Sequence, residues 1–152
     1  MPDLIFRRAT EADVPAIIGL LADDILGSSR EATGTESLAQ YLGAFRAVDA
    51  DANQFLLVVD DGTAIVGTLQ LTFIAGLAHR GLKRGQIESV RVARDRRGEK
   101  IGEKMLEWAL EKCRRERCAI VQLTTDKTRT DAHRFYDRLG FLPSHVGYKK
   151  KL

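Results

Sequence analysis

The sequence predicts an α/β fold, a mixed β-sheet with helices on its faces. Three observations carry that expectation. Short runs rich in apolar and β-branched residues, such as 55–59 and 86–92, alternate with longer runs of helical periodicity. Turn-forming Gly and Asp clusters punctuate them, the clearest being Asp60-Asp61-Gly62. The resulting order is β-α-α-β-β-β-α-β-α-β, with strands and helices interleaved along the chain.

Leu4 to Arg8 reads as the first strand. Thr10-Glu11-Ala12-Asp13 resembles a capping box, with Asp in place of the usual Glu, and opens a helix to about Leu26. Val14, Ile17, Ile18, Leu21 and Ile25 supply its apolar face, and Pro15 falls in the first turn, where it is tolerated. Residues 27–34 are a loop by composition. Leu38, Tyr41, Leu42 and Phe45 mark a second helix from about Glu36 to Val48. Phe55 to Val59 is a strand, Asp60 to Gly62 a hairpin turn, and Ala64 to about Ile74 the return strand, interrupted by Gly67. His79 to Gly85 is a basic turn. Gln86 to Val92 is a strand, Glu99 to Glu116 a helix and Ala119 to Thr125 another strand. Asp131 to Leu139 is a short helix with Gly140 as its C-cap. Phe141 to Leu152 has room for one or two short strands.

A chain of 152 residues reads as one domain, and 44% hydrophobic residues suffice for a sizeable core. No apolar run approaches the ~18–20 residues of a membrane span. The stretch from Met1 to Arg8 is too short and polar for a signal peptide, so a cytoplasmic location is expected. Cys113 and Cys118 match no common zinc spacing and read as reduced thiols. His79, His133 and His145 form no i, i+4 ligand pair, and no metal is expected. The net charge of +3 hides an asymmetry: residues 1–62 hold 4 Lys and Arg against 11 Asp and Glu, and residues 63–152 hold 20 against 10. A basic half suits a polyanionic ligand, and an acidic half suits a cationic one.

The most informative stretch runs from Glu88 to Val92 and on through Arg97-Gly98-Glu99-Lys100-Ile101-Gly102. It reads as a strand, a basic turn and a helix whose apolar positions include Ile101, Met105, Trp108, Ala109 and Cys113. A helix N-terminus offers free N–H groups and about half a positive charge. Arg91, Arg94, Arg96, Arg97, Lys100 and Lys104 add full charges nearby, and Gly98 and Gly102 allow close approach to the backbone. Such a place suits a diphosphate. Neither a P-loop nor a Gly-x-Gly-x-x-Gly dinucleotide motif is present.

About thirty residues on comes Ala132-His133-Arg134-Phe135-Tyr136-Asp137-Arg138-Leu139-Gly140-Phe141. Together with the turn, this resembles the GNAT superfamily of acyl-CoA-dependent N-acetyltransferases. That family carries Arg/Gln-x-x-Gly-x-Gly/Ala after a strand, then Asn-x-x-Ala-x-x-Phe-Tyr-x-x-x-Gly-Phe. Lys100 stands at the family's usual Gly, where it either crowds the turn or salt-bridges a phosphate. Arg129 stands at its frequent Asn. The resemblance implies a twisted, mostly antiparallel sheet that splays into a V between the fourth and fifth strands. It also implies acetyl-CoA as co-substrate, its diphosphate held by the N–H groups of Arg97, Gly98, Glu99, Lys100, Ile101 and Gly102. Its pantetheine arm would pair with the strand edge at Val90, Arg91 and Val92.

Acyl transfer to an amine needs removal of the ammonium proton, a donor for the oxyanion and protonation or stabilisation of the departing thiolate. By resemblance Glu88 is the base, directly or through water, Tyr136 the general acid near the sulfur, and the Val90 N–H the oxyanion donor. A phenol with a pKa of about 10 stays protonated at neutral pH and can donate to a thiolate. The family's first two helices shape the acceptor site. Here Asp23, Asp24, Glu31 and Glu36 flank that region, which points to a small cationic amine. A protein lysine or N-terminus is the alternative acceptor. A non-catalytic acyl-CoA-binding module would keep the turn but lose Glu88 or Tyr136, and both are present. Nucleic-acid binding is disfavoured because residues 91–104 carry no interleaved aromatic. Homodimers are common in the family.

Overall fold

The computed structural model describes residues 3–23, 27–31 and 35–152. Its centre is a five-stranded sheet in the order β1 (Ile5–Arg8), β2 (Gln54–Asp60), β3 (Ile65–Ile74), β4 (Arg84–Val92) and β5 (Ile120–Leu123). The first four strands pair antiparallel, β1 joined to β2 through residues 9–53 and the next two pairs through shorter connections, and β4 and β5 pair in parallel. A parallel pair needs a crossover. Here α5 (Ile101–Arg115) supplies it. The remaining helices are α1 (Val14–Ala22), α2 (Gly27–Arg30), α3 (Thr35–Ala50), α4 (Ala78–Gly81) and α6 (Thr130–Arg138).

The α/β class and the strand order agree with the sequence reading, and four details differ. The first helix begins as a 3-10 turn at Glu11–Asp13 and its α-helical part stops at Ala22, short of Ile25 and Leu26, which lie outside the described residues. The Asp13 carboxylate accepts from the Thr10 N–H at 2.7 Å and from Arg7 at 2.7 and 3.0 Å, so one residue caps the turn and ties it to β1. Arg7 also reaches Asp60 on β2 at 3.0 Å. Hydrogen bonding from Arg7 holds the Asp13 carboxyl below its usual range. A single helical turn, α2, occupies the expected loop, and one turn is too short to show a period. Gly67 does not interrupt β3, which runs unbroken to Ile74. Residues 141–152 form no strand.

Two apolar layers flank the sheet. On one face Leu57, Leu69, Leu71 and Ile87 pack against Ile101, Met105, Leu106, Ala109 and Cys113 of α5. On the other, Val58 and Leu56 meet Val14, Ile17 and Ile18 of α1 and Phe45 of α3. Beyond this second layer the face turns polar. Gln54, Thr72, Gln86 and Gln122 stand in one row across β2 to β5 by strand register. Gln54 Oε1 accepts from Gln70 Nε2 at 3.0 Å and from Thr72 Oγ1 at 2.9 Å, and Gln122 Nε2 donates to Gln86 Oε1 at 2.7 Å.

Two glycines set how close α5 lies to the sheet. A Cβ on Gly67 would sit 2.7 Å from Met105 Sδ, and one on Gly85 would sit 2.5 Å from Cys113 Sγ. Gly85→Ala is therefore expected to cost about 1–3 kcal/mol in urea denaturation, the range for overpacking a filled core. Cys113→Ala in the same chain should recover part of that loss. Burial pushes the Cys113 thiol up to about 12, with Cys118 beside it adding to the shift. The unfolded thiol ionises near 8.5, so the folded state binds the extra proton above that pH. Stability should fall as pH rises from about 8.5 towards 12, and Cys113→Ala should flatten that slope in melts run across the range.

Candidate active site

The site is built where β4 and β5 part. Their pairing ends at Ile87↔Leu123, whereas β4 continues to Val92. On its other side β4 carries a bulge, because Gln70 faces Glu88 and Thr68 faces Arg91, leaving Ser89 and Val90 opposite one residue of β3. Ser89 takes the left-handed conformation, φ 56°, that the bulge requires. Ser89 and Val90 thus lack a register partner on either neighbouring strand. The bulge has no sequence signature, since a non-glycine residue supplies the positive φ.

After Val92 the chain makes a 3-10 turn at Arg94–Arg96 and enters α5 at Ile101. Arg97 N–H donates to Arg94 O at 3.4 Å, and the first bond of the helix runs from Lys104 N–H to Lys100 O at 3.1 Å. Among the described residues, the N–H groups of Gly98, Glu99, Lys100, Ile101, Gly102 and Glu103 have no acceptor. The free donors begin one residue later than the sequence motif suggests. Arg97, Lys100 and Lys104 carry no ion pair among the described residues, whereas Arg94 is paired with Asp23 at 3.1 Å.

Arg96 is engaged structurally. It pairs with Asp61 of the β2–β3 turn and with Glu99 at 2.9 Å, so it fastens the basic turn to the hairpin. Asp61 is itself fixed by the N–H groups of Thr63 and Ala64, each at 2.9 Å, which hold its carboxyl far below the usual range. By its local sequence Asp61 is only a turn former. Its distance of 35 residues from Arg96 gave no signal.

Gly98 lies at φ 89° with open space around it, and Lys100 lies at φ 62° as the residue preceding α5. Left-handed backbone is what glycine accepts without cost. Lys100 adopts it nonetheless, and the residue is exposed. Gly102 serves packing. A Cβ there would stand 3.4 Å from the Phe135 ring and 3.7 Å from Val92. The two sequence motifs meet at this contact.

Tyr136 follows Phe135 on α6. Its ring packs edge-on against Phe135 and Phe141, at centroid distances of 5.2 and 5.9 Å. Burial raises the phenol above its ordinary pKa, opposed by the positive charges of Arg129 and Arg91. Arg91 belongs to β4 and Arg129 to the segment after β5, so the phenol feels positive charge from both. Thr125 Oγ1, just past β5, is buried without a partner. The Glu88 side chain is exposed on β4 and makes no ion pair or hydrogen bond among the described residues. Among the described residues no group of three His, Cys, Asp or Glu side chains could hold a metal ion. No helix among them is long and apolar enough to cross a membrane.

The sequence model of the acetyltransferase (GNAT) family matches residues 21–141. The chain belongs to the GNAT family. It is an acyl-CoA-dependent N-acetyltransferase, and its mostly antiparallel sheet with one parallel pair is the GNAT fold. It is 31% identical over 153 residues to an aminoalkylphosphonate N-acetyltransferase of Salmonella typhimurium, covering 100% of this chain and 94% of that one. A transcriptional regulator from Bacillus halodurans C-125 superposes with a TM-score of 0.95 at 41% identity, covering 99% of this chain and 100% of that one. The glucosamine-6-phosphate N-acetyltransferase of Arabidopsis thaliana shares the fold, with a TM-score of 0.80 at 20% identity and 98% of each chain covered.

The conformation of Lys100 explains the family's glycine at this position, and it makes a prediction. Lys100→Gly should raise stability by about 0.5–1 kcal/mol, the left-handed penalty less the entropy of glycine. Lys100→Ala should leave it nearly unchanged. Paired urea melts separate the backbone effect from the loss of charge.

Proposed function

We propose that the chain transfers the acetyl group of acetyl-CoA to the primary amine of a small molecule, by direct attack in a ternary complex. One observation carries this reading. β4 and β5 part after Ile87 and Leu123, six N–H groups at the start of α5 have no acceptor among the described residues, and the Tyr136 phenol is buried under the charges of Arg91 and Arg129. Acetyl-CoA supplies the activated acyl group. The N–H groups from Gly98 to Gly102, with Arg97 and Lys100, bind its diphosphate, and the edge at Val90, Arg91 and Val92 aligns its arm. The Val90 N–H, at the bulge, is the oxyanion donor. Tyr136, neutral at physiological pH, donates its proton to the departing sulfur. Glu88 is open to solvent, which suits relay of the ammonium proton through water.

Two acceptor classes follow from different observations. The acidic front half suggests a cationic amine. Asp23, however, is neutralised by Arg94, and Glu31 accepts from Tyr41 Oη at 2.6 Å. Asp24 and the Glu36 side chain lie outside the described residues. The similar Salmonella protein is an aminoalkylphosphonate N-acetyltransferase, and Arg91 and Arg129 place positive charge beside Tyr136. These support an amine that also carries an anionic group, and we favour that class.

Thiol release from acetyl-CoA over a panel of aminoalkylphosphonates, polyamines and amino sugars tests both points. The aminoalkylphosphonates should give the highest kcat/KM, and a preference for polyamines would return the acceptor to the cationic class. Tyr136→Phe and Glu88→Gln should each lower kcat by about tenfold or more. If both kept wild-type rates, the proposed proton transfers would be wrong. Asp61→Ala should raise the KM for acetyl-CoA several-fold with kcat within about twofold, because it loosens the turn and leaves the proton donors in place.

A further inference from the structure

The basic turn that leads into β4 holds two adjacent cations in different states. Lys83 Nζ donates to Glu116 O at 2.9 Å, at the end of α5. Arg84, the first residue of β4, is half-buried, and its guanidinium has no ion pair or hydrogen bond among the described residues. Its register partners are Ile74 on β3 and Ile120 on β5, so neither neighbouring strand sets a carboxylate beside it. A charge partly withdrawn from water without a counter-ion is costly, and an anionic ligand would relieve that cost. Side chains alternate along β4. Gly85 and Ile87 face α5, where a Cβ on Gly85 would meet Cys113 and Ile87 joins the core. Arg84, Gln86 and Glu88 therefore form one column on the opposite face. The helices α1 and α3 cover that face at Leu56, Val58 and Ile65.

The column lies where the amine must arrive. The Tyr136 ring packs with the core on the α5 side, and the Glu88 side chain stands on the other side of the sheet. In the proposed reaction the acyl donor is held at the start of α5, which leaves the Glu88 face to the acceptor. Gln86 Oε1 accepts from Gln122 at 2.7 Å, and Gln86 Nε2 has no acceptor among the described residues. We propose that Arg84 seats the anionic group of the acceptor, with Gln86 Nε2 as a second donor beside it and the amine directed at Glu88. This rests on the acetyl-transfer reading and gives its acceptor an orientation. The charges of Arg91 and Arg129 act at the Tyr136 phenol on the α5 side, so they attract an anionic amine without seating it. A strand rises ~3.4 Å per residue, which puts Arg84 and Glu88 about 13 Å apart at the backbone. Long side chains at both ends shorten that gap, but the acceptor must still carry its two charges at opposite ends of a chain.

Calorimetric titration of aminopropylphosphonate, its amine on the terminal carbon, into the full chain with coenzyme A present reads the seat without turnover. Arg84→Ala should weaken binding by about tenfold or more, the scale for losing hydrogen bonds to a charged group, and Arg84→Lys should restore part of it. Thiol release from acetyl-CoA then compares this phosphonate with aminopropanol, which keeps the amine and lacks the anion. Arg84→Ala should lower the phosphonate-to-aminopropanol ratio of kcat/KM by about tenfold or more, through the KM for the phosphonate. A general disturbance of the sheet would slow both substrates alike and leave the ratio unchanged. No binding, binding indifferent to Arg84, an unchanged ratio, or a preference for the isomer with amine and phosphonate on one carbon would each overturn the seat. Binding that depends on Arg84, with no thiol release from any amine, would overturn the acetyl-transfer reading and leave the seat standing.

Discussion

Most of the molecule follows from how closely α5 lies on the sheet. Gly67 and Gly85 remove the side chains that would hold it off, and Met105 and Cys113 fill the space they leave. That approach decides where the helix begins, and so where its free N–H groups point. It also decides where the helix delivers the chain, which returns as the one parallel strand. A helix standing an ångström further out would misplace both the basic turn and β5. The cleft is therefore a consequence of core packing, reached through a rigid element.

The basic turn is held from outside and strained within. Asp61 and Glu99 share Arg96, which costs the turn one positive charge but fixes its backbone to the β2–β3 hairpin. Lys100 sits in left-handed backbone immediately before the helix, and Ser89 does the same in the β4 bulge. Such conformations cost about 1–2 kcal/mol each for residues other than glycine. Both occur where the chain must turn its amides towards the cleft. Preorganised donors of this kind need no rearrangement on meeting an anion.

Much of this was legible in the residues. The apolar periods placed every strand of the sheet, and the Arg97–Gly102 and Ala132–Phe141 motifs pointed to the family. The two meet in the structure where Gly102 leaves room for the Phe135 ring. Other features were hidden for physical reasons. The bulge depends on register between β3 and β4, which no local pattern encodes. The Asp61–Arg96 pair joins residues far apart in the chain. The Asp23 and Glu31 side chains look available from composition, but Arg94 neutralises Asp23 and the Tyr41 hydroxyl engages Glu31. Residues 141–152 have room for one or two strands, and length alone does not decide whether a strand forms.

The row of Gln54, Thr72, Gln86 and Gln122 has a consequence of another kind. It lies on the face opposite α5, and its amides satisfy one another across the strands. Residues in such a row can change one at a time without opening a void beneath the crossover helix. The face holding α5 has no such freedom, since each of its side chains is wedged against a neighbour. Over generations the two faces should drift at different speeds. The wet side of the sheet is the cheaper place for descendants of this chain to acquire a new chemical taste.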